Sequence, residues 1–150
     1  MIRSGKWFSF YVMILLPVST GAMGNKSMYE YQSVLYFWFK ELTPEQWFTK
    51  DLDLDEQILS RFGELHKQAI DGELSHWRDE PEGRLAEIII LDQFSRNMFR
   101  GDVQSFAYDG IALVLAQEAV RAGAMDYLTE AQQNFLLMPY MHSESSEIHK

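Results

Sequence analysis

The sequence predicts an all-α fold, and three observations support that prediction. From residue 28 onward, apolar residues recur at intervals of three and four, which is the spacing of one helix face. Residues that suit helix amino termini precede several of these runs, and glycines follow them. No Asn-Gly dipeptide separates two runs of alternating polarity, as a β-hairpin would favour.

Length and composition exclude several classes of function. The chain has 150 residues, of which 47% are hydrophobic, and this is enough for one domain with its own core. It has no cysteine, so disulfides and thiolate catalysis are excluded. The net charge of −9 argues against nucleic acid and anionic membrane surfaces as partners.

Residues 1–27 differ from the rest of the chain. Arg3 and Lys6 precede an apolar run, 7–18, and small residues follow at 19–22. This order is typical of a secretory signal peptide, and the run is too short for an ordinary transmembrane helix, so no stable membrane span is predicted. An upstream start, with the protein beginning at Met23 or Met28, explains the stretch equally well. We therefore treat 1–27 as a signal-like or upstream-start extension and 28–150 as an all-helical domain.

The first helices follow from spacing and capping. Tyr31, Leu35, Trp38 and Leu42 keep helical spacing, which favours a helix over a buried strand. Thr43, Pro44 and Gln46 form a capping box that predicts a short helix. The next helix is predicted to begin at an Asp53 cap and to end at Gly72, with a buried stripe of Ile58, Phe62, Leu65 and Ala69. Residues 73–83 are interpreted as a connector.

The stretch 84–100 has the most informative pattern in the sequence. At about 100° per residue, one stripe of this helix combines apolar and charged residues: Leu85, Ile88, Ile89, Asp92, Arg96 and Phe99. Since a helix turns such a stripe toward the core, Asp92 and Arg96 are expected at the edge of the core or inside it. Arg100 lies one turn further, so a ladder of Asp92, Arg96 and Arg100 is predicted.

The remaining helices are marked by caps and breakers. Asp102 is predicted to cap a long helix that ends at Gly123. Thr129 and Gln132 form a second capping box, and the helix after it is expected to stop before Pro139. Residues 142–150 are predicted to begin another helix. Five or six helices with short links favour antiparallel hairpins stacked in a tetratricopeptide-like arrangement.

Polar residues on two of these helices are the candidates for a functional site. We single out Asp92, Gln93, Arg96, Asn97, Arg100, His142, Ser143, Glu144 and His149. In one interpretation the arginines, with Gln93 and Asn97, bind an anionic ligand, while Asp92, His142 and Glu144 are the candidates for acid–base catalysis. In the other, the cluster is a buried ion-pair network that fixes helix packing. Whether the protein is an enzyme stays open.

Two further kinds of site are a stacking wall of tryptophan rings and a metal site. Trp47, with Trp38 and Trp77, is either part of the core or a stacking wall beside the arginines. His142 and His149 lie seven residues apart, but the sequence has no His-Glu-x-x-His or comparable ligand set. No metal site and no cofactor are therefore predicted.

Several motifs resemble one known family. They are Phe37-Trp38-Phe39, Gln46-Trp47-Phe48, the block 84–97 that contains Leu91-Asp92-Gln93-Phe94-Ser95-Arg96-Asn97, and the segment Met138-Pro139-Tyr140-Met141-His142-Ser143-Glu144. Together they resemble the bacterial domain-of-unknown-function 924 family, from about Tyr29 to the carboxyl terminus.

The resemblance implies a tetratricopeptide-like fold and a cytoplasmic location, and it brings no established activity. If residues 1–22 are a signal peptide, the protein is exported instead. Family members usually begin near the position of Met28, which favours the upstream-start interpretation, and they continue past the Met-His-Ser-Glu block. We therefore expect the helical domain to be incomplete at its carboxyl terminus.

Two classes of function follow. The first is a helical scaffold that binds a protein or peptide partner along an extended surface. The second is a small-molecule-binding protein or an enzyme that acts on an anionic, phosphorylated substrate through its Asp/Arg/His cluster. They differ in one observable, because the second class requires Asp92, Arg96, Arg100 and His142 to converge on a pocket. The scaffold is preferred at this stage by analogy with the fold.

Overall fold

The structure is a computed structural model that describes residues 30–150, and all regular secondary structure in this range is helical. The predicted all-α fold class is therefore confirmed. The two explanations of residues 1–27 lie outside the described residues. No helix in the described range is long and apolar enough to cross a membrane.

Six helices follow one another along the described chain. Helix α1 covers residues 30–36 and continues as a π turn, Phe37–Glu41. Helices α2 and α3 are Pro44–Phe48 and Leu52–Ile70. Helix α4 has three consecutive parts: Pro81–Ile89, a π turn at Ile90–Phe94, and Ser95–Met98. Helices α5 and α6 are Asp109–Arg121 and Glu130–His142. Short 3₁₀ turns at Ser75–Asp79, Val103–Ser105 and Ala124–Tyr127 connect them.

Helix α4 is the centre of the fold. Residues 85–95 are all buried, because α3, α5 and α6 pack around this one helix. The helix therefore has no solvated face over this stretch, whereas the sequence stripe predicted only one buried face. Asp92 and Glu87 are carried into the core on it and must be paired there.

Aromatic rings fill the space between α4 and its neighbours. Phe94 of α4 lies 4.9 Å from Phe62 of α3 and 5.8 Å from Trp38 of α1, measured between ring centroids. Trp38 also meets Phe135 of α6 edge-on at 5.4 Å. Such tilted and edge-to-face contacts add to the apolar burial. The rings of four helices therefore form one continuous core.

Several predicted boundaries are confirmed. Both capping boxes are present, since the Thr43 N–H donates to Gln46 Oε1 at 2.8 Å and the Thr129 N–H donates to Gln132 Oε1 at 2.9 Å. The helix that follows Thr43 begins at Pro44 as expected. Gly72 directly follows the C-cap residue of α3 with φ of 76°, a left-handed conformation that glycine adopts without strain.

Other boundaries were wrong for local reasons. The cap of α3 is Asp51 rather than Asp53, because the Asp51 backbone is extended and its carboxylate accepts from the N–H groups of Asp53 and Leu54. Leu65 is only half-buried, and His66 lies in the core beside it. The central helix begins at Pro81 instead of Arg84, since proline suits the first helical position.

The carboxyl-terminal third differs most from the prediction. Asp102 caps only the 3₁₀ turn Val103–Ser105, and the long helix begins later, at Asp109. Pro139 does not end α6, which continues to His142 around it. Residues 143–150 contain a turn and no helix, because Ser143 is extended and ends α6. The tetratricopeptide-like stacking stays a prediction.

A tight junction joins the turn Ser75–Asp79 to α4. A Cβ placed on Gly83 would lie 2.0 Å from the carbonyl oxygen of Trp77, so only glycine fits there. Arg78 makes two hydrogen bonds to the buried Glu87, with Nε at 2.8 Å and Nη2 at 2.6 Å from its oxygens. These bonds raise the pKa of Arg78. The turn is therefore held to α4 by a backbone contact and by an ion pair.

A buried histidine joins α3 to α4. His66 is 2% exposed, and its Nε2 lies 2.7 Å from the Oγ of Ser95. Since this hydroxyl donates its proton to the carbonyl of Leu91 at 2.6 Å, it must accept from His66 Nε2–H. Burial lowers the pKa of His66 from 6.5 to about 4. The imidazole is therefore neutral in the folded protein near neutral pH.

The low pKa of His66 predicts a loss of stability in mild acid. Between pH 6.5 and 4 the unfolded chain binds a proton at His66 that the folded chain excludes, so the free energy of unfolding falls as pH decreases through this window. A difference of this size corresponds to about 3 kcal/mol. Urea unfolding at a series of pH values measures it.

The variant His66→Gln should flatten this dependence, because glutamine does not titrate and its amide can still donate to Ser95. His76→Gln is the matched control, since His76 is exposed. Parallel pH profiles for the wild type and His66→Gln would show that His66 is not the responsible group.

Candidate functional site

A pocket lies where the end of α4, the start of α5 and the end of α6 meet. Its volume is about 550 Å³, which is within the usual range for small-molecule sites. The lining residues are Arg96, Phe106, Asp109, Gly110, Leu113, Pro139, His142, Ser143 and Glu144. The pocket is therefore lined by four of the residues singled out from the sequence: Arg96, His142, Ser143 and Glu144.

Asp92 lies in the core next to this pocket. It sits in the π turn of α4 and is 1% exposed, so the predicted burial is confirmed. Its Oδ1 accepts from Arg96 Nη1 at 2.9 Å and lies 2.7 Å from His142 Nδ1, while its Oδ2 accepts from Gln93 Nε2 at 3.0 Å. The Asp92 carboxylate thus has three hydrogen-bond partners, which compensate for the burial of its charge.

The contact with Asp92 sets the tautomer of His142. An ionised carboxylate only accepts hydrogen bonds, so Nδ1 must carry a proton and donate it. In the neutral ring Nε2 is then the unprotonated nitrogen, which can accept a hydrogen bond or a proton. His142 is the last residue of α6 and lines the pocket. The pair therefore places a proton acceptor at the pocket and a carboxylate behind it.

Arg96 is already neutralised by protein carboxylates. Besides Asp92, it contacts Asp109 through two parallel bonds, with Nη1 to Oδ1 at 2.9 Å and Nη2 to Oδ2 at 3.0 Å. The guanidinium also lies 5.4 Å from the ring centre of Phe106. With Glu144 in the lining, three carboxylates are present for this single guanidinium. An anionic ligand would meet more negative than positive charge in this pocket.

Arg100 and Asn97 do not join this cluster. Arg100 binds Asp55 of α3, with Nε to Oδ2 at 2.5 Å and Nη2 to Oδ1 at 3.0 Å, and Asn97 Nδ2 donates to the same carboxylate at 2.8 Å. The bonds to Asp55 raise the pKa of Arg100. The predicted ladder was therefore wrong beyond Arg96, because α4 ends at Met98 and Arg100 no longer continues its helical face.

Trp47 belongs to the aromatic core. It stacks on Trp38 at 6.5 Å, meets Phe135 edge-on at 5.0 Å, and donates its indole N–H to the Trp38 carbonyl at 2.8 Å. The alternative that Trp47 forms a stacking wall beside the arginines was wrong, and the ring beside Arg96 is that of Phe106.

Sequence reasoning missed Asp55, Asp109 and Phe106. Asp55 lies in the first turn of α3, and Asp109 falls inside the helix predicted from Asp102 to Gly123, which in fact begins at Asp109. The available signal was charge balance, because Arg96 and Arg100 enter a packed region and each needs an acidic partner. The sequence does not show which acids those are.

Neither a metal cluster nor a histidine pair appears in the described range. No three histidine, aspartate or glutamate side chains between residues 30 and 150 are grouped so that they could hold a metal ion. His149 and His142 bind different partners. The Nε2 of His149 is 2.7 Å from the carbonyl oxygen of Ser143, whereas His142 contacts Asp92.

Comparison with known proteins gives a family but no activity. Residues 34–150 match the family described as "Bacterial protein of unknown function (DUF924)". A solved structure of a protein of unknown function from Agrobacterium tumefaciens is 34% identical in sequence and superimposes with a TM-score of 0.78. The match covers 81% of this chain and 69% of that one. No curated protein matches the sequence.

Proposed function

We propose that this chain, which belongs to the bacterial DUF924 family of unknown function, binds a small molecule in the pocket between α4, α5 and α6. The observation that carries the proposal is that Arg96 and His142 line one cavity and are both bonded to the buried Asp92 behind it. A scaffold alone would favour polar groups spread along an extended surface. Arg100 does not join them, so the proposal rests on these three residues.

The charges favour a cationic ligand over the anionic ligand expected from the sequence. Arg96 is paired with two carboxylates, whereas Glu144 accepts no hydrogen bond from any residue in the described range. The exposed ring of Phe106 offers a π face to a cation at the same rim. A quaternary ammonium compound of a few carbon atoms fits this combination of carboxylate, ring and volume.

A protein partner is the second candidate. Three apolar side chains between residues 103 and 114 are exposed: Val103 by 83%, Phe106 by 62% and Val114 by 56%. Of these, Phe106 also lines the pocket. Exposed apolar side chains of this kind are common in protein interfaces when they form a patch.

A thermal melt of the full chain tests the small-molecule proposal. Choline and its uncharged carbon isostere 3,3-dimethylbutan-1-ol are compared with glycerol 3-phosphate. At about 100 times its dissociation constant a ligand of the native state adds roughly 2.7 kcal/mol, which raises the melting temperature. We expect choline to raise it and the other two compounds to leave it unchanged.

Variants locate the effect. Glu144→Gln should reduce the shift produced by choline, while Glu118→Gln, at an exposed glutamate outside the pocket lining, should not. A shift with glycerol 3-phosphate alone would favour the anionic ligand instead. If none of the three compounds changes the melting temperature, the pocket proposal fails and the partner surface takes its place.

A further inference from the structure

We infer that the pocket is catalytic, with His142 as the general base that activates water for the hydrolysis of small esters of cationic alcohols. This inference rests on the proposed function, because the same pocket must hold the cationic part of the substrate. It goes further in assigning a reaction to the Asp92–His142 pair, which ligand binding alone does not require.

The three histidines with hydrogen bonds in the described range differ in one respect. His66 and His149 each use Nε2 for a protein contact, at 2.7 Å in both cases, with Ser95 Oγ and the Ser143 carbonyl. His142 uses Nδ1, and its Nε2 has no protein hydrogen-bond partner among residues 30–150. Since His142 lines the pocket, its Nε2 is free to accept a proton from a molecule bound there.

The groups behind His142 hold it for proton transfer. Arg96 and Gln93 donate to the Asp92 carboxylate, which fixes the orientation of the oxygen that accepts from Nδ1. A buried carboxylate in this position keeps the imidazole in one tautomer and stabilises the imidazolium that forms after proton uptake. Asp92 is a positioning residue in this scheme, since it acts through His142.

The reaction needs only water as co-reactant. A water molecule gives a proton to Nε2 while its oxygen forms a bond to the carbonyl carbon of the ester, and the π pair of the carbonyl moves onto the carbonyl oxygen. When that pair returns to form the carbonyl again, the bond between the carbon and the leaving oxygen breaks. The leaving oxygen keeps the electron pair and takes the proton back from His142, so the imidazole is neutral again. The products are one carboxylic acid and one alcohol that carries the cation.

The charge of the pocket lining indicates the substrate class. Glu144 and the ring of Phe106 line the pocket, and Glu144 is the lining carboxylate that is not already paired with Arg96 in the described range. They suit a quaternary or primary ammonium group, while Leu113 and Pro139 supply an apolar wall for the carbon chain. A cavity of about 550 Å³ accommodates an ester of this size.

Acetylthiocholine is the probe for the experiment, because a thiol reagent reports the release of thiocholine. The full chain should hydrolyse it faster than the uncharged isostere 3,3-dimethylbutyl thioacetate. His142→Gln should lower the rate by about 100-fold or more, which is the usual contribution of a general base. His76→Gln is the matched control and should leave the rate unchanged, because His76 is exposed and lies outside the pocket lining.

A second variant separates catalysis from folding. In His142→Ala, added imidazole should restore part of the rate, because it can occupy the vacated space and accept the proton. A merely structural histidine would show no such rescue. Equal rates for the wild type and His142→Gln, or no hydrolysis by either, would overturn the inference.

The same samples distinguish the two proposals. If choline raises the melting temperature of the wild type but acetylthiocholine is not hydrolysed, the pocket binds cations and the catalytic inference is wrong. If choline has no effect and hydrolysis is also absent, the proposed function itself fails.

Discussion

Asp92→Ala is expected to lower the free energy of unfolding by about 3–5 kcal/mol, as the removal of one member of a buried ion pair does. The side chain is 1% exposed and holds Arg96, His142 and Gln93 through its two oxygens. Without it, Asp109 is the one carboxylate that Arg96 keeps in the described range, and the Gln93 amide loses its acceptor on Asp92. Urea unfolding of the variant measures the loss.

Arg100→Ala is the matched comparison and should cost less. Arg100 is 34% exposed in its side chain, and after its removal Asp55 keeps the hydrogen bond from Asn97. The difference between the two losses in free energy of unfolding therefore tests whether the more deeply buried ion pair contributes more to stability. Small and equal losses would mean that the Asp92 cluster behaves as a solvated surface network.

Arg78→Ala should also destabilise the protein by about 3–5 kcal/mol, because it leaves a buried carboxylate without its partner. Glu87 is 1% exposed and lies on the central helix, while Arg78 is 35% exposed and reaches it from the turn before α4. When Arg78 is removed, the Glu87 carboxylate stays buried, so water cannot replace the lost partner. Chemical unfolding again provides the measurement.

Arg121→Ala serves as the control for this variant. Arg121 is 76% exposed and pairs with Glu118 three residues away on α5, a geometry that contributes little to stability. We expect a change within about 0.5 kcal/mol. If Arg78→Ala were as mild as Arg121→Ala, the ion pair at Glu87 would not hold the turn to α4.

The sequence predicted the features that depend on neighbouring residues. The capping boxes at Thr43 and Thr129 need only side chains three residues apart, and both are present. The burial of Asp92 followed from the apolar residues one turn before it on the same helix. Local chemistry of this kind is contained in a short stretch of chain.

Contacts between distant segments were not predictable in this way. Arg100 finds Asp55 across 45 positions, and Arg96 finds Asp109 across 13. These partners depend on how α3 and α5 pack against α4, and the periodicity of one helix does not contain that information. Pro139 is a different case, because tertiary packing keeps α6 helical through a residue that usually ends a helix.

Because α4 contains the π turn Ile90–Phe94, the effect of deleting one residue from this helix depends on the position of the deletion. A π turn accommodates one residue more than an α-helical turn, so the deletion of a single residue within it would leave a regular helix. The turn absorbs the extra residue locally, so the segment after the deletion would keep its orientation relative to 81–89, and Arg96 and Asn97 would keep Asp109 and Asp55. A deletion within the regular part 81–89 would instead rotate the segment before it by about 100° relative to the rest of the helix. A single-residue deletion should therefore be tolerated better between residues 90 and 94 than within 81–89.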